Sequence, residues 1–234
     1  MLILLYAATA AICQTCTYVS GNDIASVPPP AVVVLGIRRG TQPDLWRATR
    51  ATRMLSRQGP VTLALADLPT ESQSVLDQYA AGAVLPGDLP ELLSWSTDVG
   101  FAWSAYRPLV TAASWGAQVS AVGVDWSPRP PQAILPLPPS YMFVLGEAFG
   151  ESPIPVAWEP RMVEMMAWRD HRIAAGALEV WDGQGYLVVV ADRFHVEGGK
   201  GISYQAARMT DRAVEAFLVT DAGARCWPDD RVWR

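Results

Sequence analysis

The sequence predicts an α/β fold: a mostly parallel central sheet with helices on both faces, in a single domain. Three observations carry that reading. The chain has 234 residues and is half hydrophobic, enough to bury a full core. The run Ala31-Val32-Val33-Val34-Leu35 is continuously apolar and β-branched, as in a strand buried on both faces of a parallel sheet. Segments of that kind alternate along the chain with segments of helical periodicity, the pattern of strand–helix–strand crossovers.

In chain order, residues 17–30 are polar and then proline-rich, ending Val27-Pro28-Pro29-Pro30, and read as an extended tether before a domain over 31–234. The first strand covers 31–35, with Gly36 as its exit turn. Pro43 opens a helix that runs to Gln58, its apolar face formed by Leu45, Trp46, Thr49, Met54 and Leu55, and Gly59-Pro60 stops it. A second strand is expected over 61–66, helices over 71–79, 89–95 and 105–115, and a third strand over 118–124. The prolines of 128–139 demand a loop, and 141–145 reads as a further strand. Met162, Met165, Met166, Ile173 and Ala174 recur at helical spacing, predicting a long amphipathic helix over 160–176. Residues 178–181, the turn Asp182-Gly183-Gln184-Gly185 and the run 186–191 read as a hairpin or as the lead-in to a strand. A final strand is expected over 214–219.

Composition narrows the function. The net charge is −5, and the linear sequence has no Lys/Arg cluster, which argues against nucleic acid as a partner. Lys200 is the sole lysine among the basic residues. The ten tryptophans are scattered along the chain, as core filling rather than a ligand-stacking box. Met1 to Ile12 is apolar and uncharged, too short to span a membrane, and reads together with the residues to 16 as a signal peptide or lipoprotein signal. No Lys or Arg precedes Arg38. Cys13 follows small residues and is the candidate acylation site, with Cys16 a comparable one. An exported protein is therefore expected, periplasmic or anchored to a membrane surface through lipid. In an oxidising compartment Cys16 and Cys226 are available to pair. No zinc-type cysteine arrangement is present.

The carboxyl ends of the strands are where an open α/β sheet collects its ligands. There the sequence offers Arg38 and Arg39 after the first strand, Asp67 after the second, Asp125 after the third, and Asp192, Arg193 and His195 after 186–191. His195 is one of two histidines and is suited to be a metal ligand, a base or a haem contact. Nucleophile-elbow, P-loop and HExxH patterns are absent, and Gly198-Gly199-Lys200-Gly201 lacks the rest of a phosphate loop.

Over 31–234 the order of segments resembles the ChaN-like family, haem-binding lipoproteins of the Tiki/TraB and erythromycin-esterase-like superfamily. The resemblance rests on Val32-Val33-Val34-Leu35-Gly36, on Leu63-Ala64-Leu65-Ala66 followed by Gln73-Ser74-Val75-Leu76-Asp77-Gln78-Tyr79, and on Trp103-Ser104-Ala105-Tyr106-Arg107-Pro108-Leu109. Arg169-Asp170, His195-Val196 with Gly201-Ile202, and Pro228 to Trp233 extend it. The family's acids and histidines are largely lost. Its Gly-Glu-x-His is here Gly36-Ile37-Arg38-Arg39, its second-strand glutamate falls on Ala66, its Asn-x-Pro-Arg falls near Gly123-Val124-Asp125-Trp126, and its Gly-x-x-His survives as Asp192-Arg193-Phe194-His195.

The resemblance implies a non-enzymatic envelope protein with haem, or a related small ligand, as cofactor and partner. It makes His195 and Tyr106 the first candidate ligands, with Tyr79 a second phenol and Arg107 and Arg193 placed for propionates. Haem sites in this family can lie between two subunits, so a homodimer is among the expectations. The alternatives are a divergent metal-dependent hydrolase using His195 with Asp192 and Asp125, and a pseudoenzyme that serves only as a protein-interaction scaffold.

Overall fold

A computed structural model describes residues 16–99, 101–124, 159–220 and 230–233. The candidate signal with Cys13, the residues 125–158 with Asp125, the proline loop and the strand expected over 141–145, and Cys226 lie outside these.

Seven strands form one sheet: β1 (Thr17–Val19), β2 (Ala31–Ile37), β3 (Val61–Pro69), β4 (Gln118–Gly123), β5 (Tyr186–Asp192), β6 (Ala213–Val219) and β7 (Arg231–Trp233). Their order is β1-β7-β6-β2-β5-β3-β4, and every neighbouring pair is parallel. The helices are α1 (Gly21–Ala25), α2 (Gln42–Ser56), α3 (Gln73–Ala80), α4 (Leu89–Leu92), α5 (Trp95–Asp98), α6 (Trp103–Val110), α7 (Glu159–Val180) and α8 (Ile202–Ala207).

Because strand side chains alternate between faces, the continuous apolar runs of β2 and β5 feed two cores at once. Val33, Leu35 and Ile37 of β2 join Tyr186, Val188 and Val190 of β5 under α2, α3 and α6. Val32, Val34, Leu187 and Val189 face the other way, onto Ile173, Ala174 and Ala177 of α7 and Ile202 and Ala206 of α8. The chain leaves β2 toward the first layer and leaves β5 toward the second, although β2 and β5 are hydrogen-bonded neighbours. Their carboxyl ends therefore flank a topological switch point, where an open sheet leaves a crevice.

The expected fold class stands, and several local readings are corrected. The segment read as a tether carries β1 and α1; buried Ile24 and Val27 anchor it, and Asp23 accepts the Ser20 backbone N–H at 2.6 Å to start α1. Gly36 is not an exit turn but lies within β2, where a Cβ would come 2.7 Å from Leu218 Cδ2 and 3.0 Å from Val196 Cβ. Trp46 is absent from the buried face of α2 and stands 59% exposed; Asp44, Ala48, Ala51 and Thr52 are buried instead. Residues 178–180 finish α7 rather than pairing in a hairpin, and β5 enters the sheet parallel to both neighbours. The expected helices over 89–95 and 105–115 break into α4 and α5, and into α6 with a 3₁₀ turn at Thr111–Trp115. β6 is not the last strand, because β7 inserts between it and β1. Cys16 is disulfide-bonded; the chain's other cysteines, Cys13 and Cys226, lie outside the described residues.

Candidate functional site

At the switch point, residues from five elements meet. Arg39 follows β2, Asp67 lies near the end of β3, Asp192 ends β5, His195 closes the 3₁₀ turn Arg193–His195, and Arg169 and Asp170 come from α7. Two ion-paired contacts organise them. Arg39 Nε lies 2.9 Å from Asp67 Oδ1, and His195 Nδ1 lies 2.5 Å from Asp170 Oδ1. Both members of the second pair are buried. With Asp170 accepting, the Nδ1 proton is held in place and Nε2 is left as the basic ring nitrogen. Gly201 backs this pair closely: a Cβ there would fall 2.0 Å from the His195 carbonyl oxygen and 3.0 Å from Asp170 Oδ2. Only glycine fits.

Burial tunes the carboxylates. Loss of water raises Asp67 above its ordinary range, opposed by Arg39, His195 and Arg169 and by the Tyr106 phenol. Asp192 is raised to about 6, chiefly by burial and further by Asp67, while His195 and Arg39 pull it down. The site therefore has positive and negative groups close enough to set each other's protonation, in a region with little water.

Tyr106 approaches this group from the core. It is fully buried and packs against Trp95 at a ring-centroid distance of 4.9 Å and Phe101 at 5.5 Å. Its hydroxyl and Asp67 Oδ2 are both buried without a partner at hydrogen-bond geometry. They are nevertheless near enough for the phenol to lower Asp67 and for Asp67 to raise the phenol, which burial already holds well above 10.

The candidate residues thus separate. His195 and Asp192 sit in the cluster, and Tyr106 touches it through Asp67. Arg193 is half-buried and pairs with Glu197. Tyr79 packs on the α2-side core, and Arg107 is exposed on α6. Arg38 turns out to be structural: its backbone N–H, Nε and Nη2 all donate to buried Asp44, at 2.9–3.1 Å, tying the end of β2 to the start of α2. The sequence offers Arg39 and Asp67 only as strand-end residues and Arg169 and Asp170 only as part of the family resemblance, since what joins the four is strand order and helix packing. Among the described residues no group of three or more His, Cys, Asp or Glu is arranged to hold a metal ion.

Residues 24–134 match the model of a family described as haem-binding uptake, Tiki superfamily, ChaN. The fold agrees over a longer span: ChaN of Campylobacter jejuni, described with cofacially bound haem, is 14% identical with a TM-score of 0.64, the match covering 86% of each chain. This chain is ChaN-like in fold, and in sequence over residues 24–134.

Two toxin structures share the fold with the ChaN-like chain at lower TM-scores. The C-terminal region of Pasteurella multocida toxin, described with a thiol-protease-like catalytic triad, is 18% identical with a TM-score of 0.54; the match covers 92% of this chain and 27% of that one. RRSP, a MARTX toxin effector domain from Vibrio vulnificus, is 16% identical with a TM-score of 0.52, covering 92% of this chain and 39% of that one. No curated protein matches the ChaN-like chain in sequence. Among the described residues no helix is long and apolar enough to cross a membrane.

Proposed function

We propose that this ChaN-like chain is a non-enzymatic envelope protein that binds haem at the carboxyl edge of its sheet, with His195 as the iron ligand. The observation that carries the reading is the 2.5 Å contact between His195 Nδ1 and Asp170. A metal-binding histidine is commonly held this way, its second nitrogen donating to a carboxylate that orients the ring and strengthens the ligating Nε2.

Haem would bring a redox-active iron with open coordination positions. The residues fit it at His195 and not at Tyr106. A ligating tyrosine must give up its proton, and the Tyr106 phenol is fully buried, beside a carboxylate, with its pKa driven up. Both Arg39 and Arg193 have a carboxylate partner, Asp67 and Glu197, and Arg39, 47% exposed against 17% for Arg193, is the better placed to meet a propionate. Tyr79 and Arg107 have no part in this reading.

The disulfide at Cys16 supports export, since such bonds persist in oxidising compartments. A lipid anchor at Cys13 and a homodimer belong to the same proposal, to be read by mass spectrometry of the mature protein and by its solution mass.

Titrating the purified protein with haemin tests the central assignment. A saturable Soret change is expected, lost in His195→Ala and kept in Tyr106→Phe. An unchanged free-haemin spectrum refutes haem binding, and loss in Tyr106→Phe alone moves the ligand to the phenol.

One observation favours a second reading, in which the Asp170–His195 pair serves as a general base for hydrolysis. Asp192, at about 6, is a carboxyl poised to change protonation near neutral pH beside that histidine. Stoichiometric metal in the purified protein that disappears in His195→Ala favours this enzyme over the haem carrier. The scaffold alternative predicts neither haemin binding nor metal.

A further inference from the structure

Away from the sheet edge, the outer face of α2 assembles a cationic groove that the linear sequence conceals. Trp46, Arg50, Arg53 and Arg57 are spaced by four, three and four residues, which lines them along one side of the helix. All four are exposed. They border a groove of about 870 Å³ whose opposite wall comes from α1 and the residue before it, Ser20, Gly21, Asn22 and Ala25. No Asp or Glu lines it, although the whole chain carries a net charge of −5.

The three arginines form no ion pair among the described residues. Two of them are held by aromatic faces: Arg50 lies 5.6 Å from the Trp46 ring centre and 5.9 Å from that of Trp233, and Arg53 lies 5.4 Å from Trp115. A guanidinium stacked on a ring keeps its in-plane N–H donors for an oxyanion. Favourable interaction with the carboxyl end of α2 accounts for cations in its last turn. It accounts neither for an exposed tryptophan two turns earlier nor for an acid-free groove.

We propose that this groove is a contact surface for the phosphodiester headgroups of an anionic membrane. Arginines beside an exposed tryptophan are the pairing that favours a lipid interface, the cations meeting phosphate and the indole sitting at headgroup depth. The candidate acylation site Cys13 precedes β1 by only a few residues, and α1 is itself a wall of the groove. The inference is independent of the haem assignment.

Co-sedimentation of the full chain with phosphatidylcholine vesicles, with and without phosphatidylglycerol, tests it. The readout is the ratio of anionic to neutral binding, so any contribution of the apolar amino-terminal residues cancels. Phosphatidylglycerol should strengthen binding, and Arg50→Gln/Arg53→Gln/Arg57→Gln should reduce the ratio by about fivefold per arginine, on the order of a hundredfold in all. Trp46→Ala should weaken binding to both vesicles. The control Arg208→Gln/Arg212→Gln, exposed arginines outside the groove, should retain most of the ratio, with circular dichroism checking that each variant is folded. An equal loss in the control, or a ratio indifferent to the triple variant, overturns the proposal. Full competition by inorganic phosphate at millimolar concentration also overturns it, by making the groove a site for free phosphate.

Discussion

Replacing Asp192 with asparagine should make the protein more stable at neutral pH. Its carboxyl titrates at about 6 in the fold against an ordinary value of 3.8, and each unit corresponds to about 1.4 kcal/mol. Ionised Asp192 therefore destabilises the native state by about 3 kcal/mol relative to the unfolded chain. The sign follows from proton uptake. Below the unfolded value both states hold the proton and nothing is lost. As pH climbs from about 4 to 6 the folded state keeps its proton longer, so stability falls. Above 6 the penalty is complete. Asparagine never ionises and retains a side-chain oxygen for the Phe194 backbone N–H, a 3.4 Å contact in the native protein. Urea unfolding of the two proteins should thus differ by up to about 3 kcal/mol at pH 7.5 and converge near pH 4. A variant that is no more stable at pH 7.5, or whose advantage persists unchanged at pH 4, would refute the argument that burial of this charge strains the site.

Three further outcomes are expected. Asp170→Ala strips the partner from a buried histidine and should lower stability by about 3 kcal/mol, while the ¹⁵N shifts of His195 move away from a single fixed tautomer. Gly201→Ala drives a methyl into the His195 carbonyl, 2.0 Å from the Cβ position, so a loss of about 3 kcal/mol should appear in thermal unfolding together with weaker haemin binding. Cys16→Ser removes a disulfide and should cost about 2–4 kcal/mol, and dithiothreitol should lower the Tm of the parent but not of the variant.

The parallel sheet was legible because β2 and β5 write their double burial directly into the sequence as unbroken apolar runs. The long α7 was legible from its periodicity. Edge strand β1 and its neighbour β7 have three residues each, too few to establish any period, and the prolines after α1 disguised the ordered segment before them. Trp46 was assigned to the buried face because an indole is apolar, whereas helix phase turns it toward solvent and gives its place to Ala48 and Ala51. The site divides in the same way. His195 and Asp192 could be read from the end of one strand. Asp170, 25 residues earlier on a helix, and Asp67, on the neighbouring strand, join them only through strand order. The arginine stripe was missed since spacings of three and four disperse a cluster along the chain that a helix gathers in space.

The insertion of β7 between β6 and β1 makes the order of synthesis differ from the order of assembly. Among the described strands Thr17 to Val19 are made first yet pair with Arg231 to Trp233, so the earliest of them waits for the latest. A nascent or partly translocated chain can build the sheet from β6 across to β4, but it carries an unmatched segment at its leading end until the last strand arrives. Closure of that long loop is a late event in folding. A chain clipped before residue 231 would lose β7 and with it the pairing of β1, and leave the outer side of β6 open to pairing with another molecule.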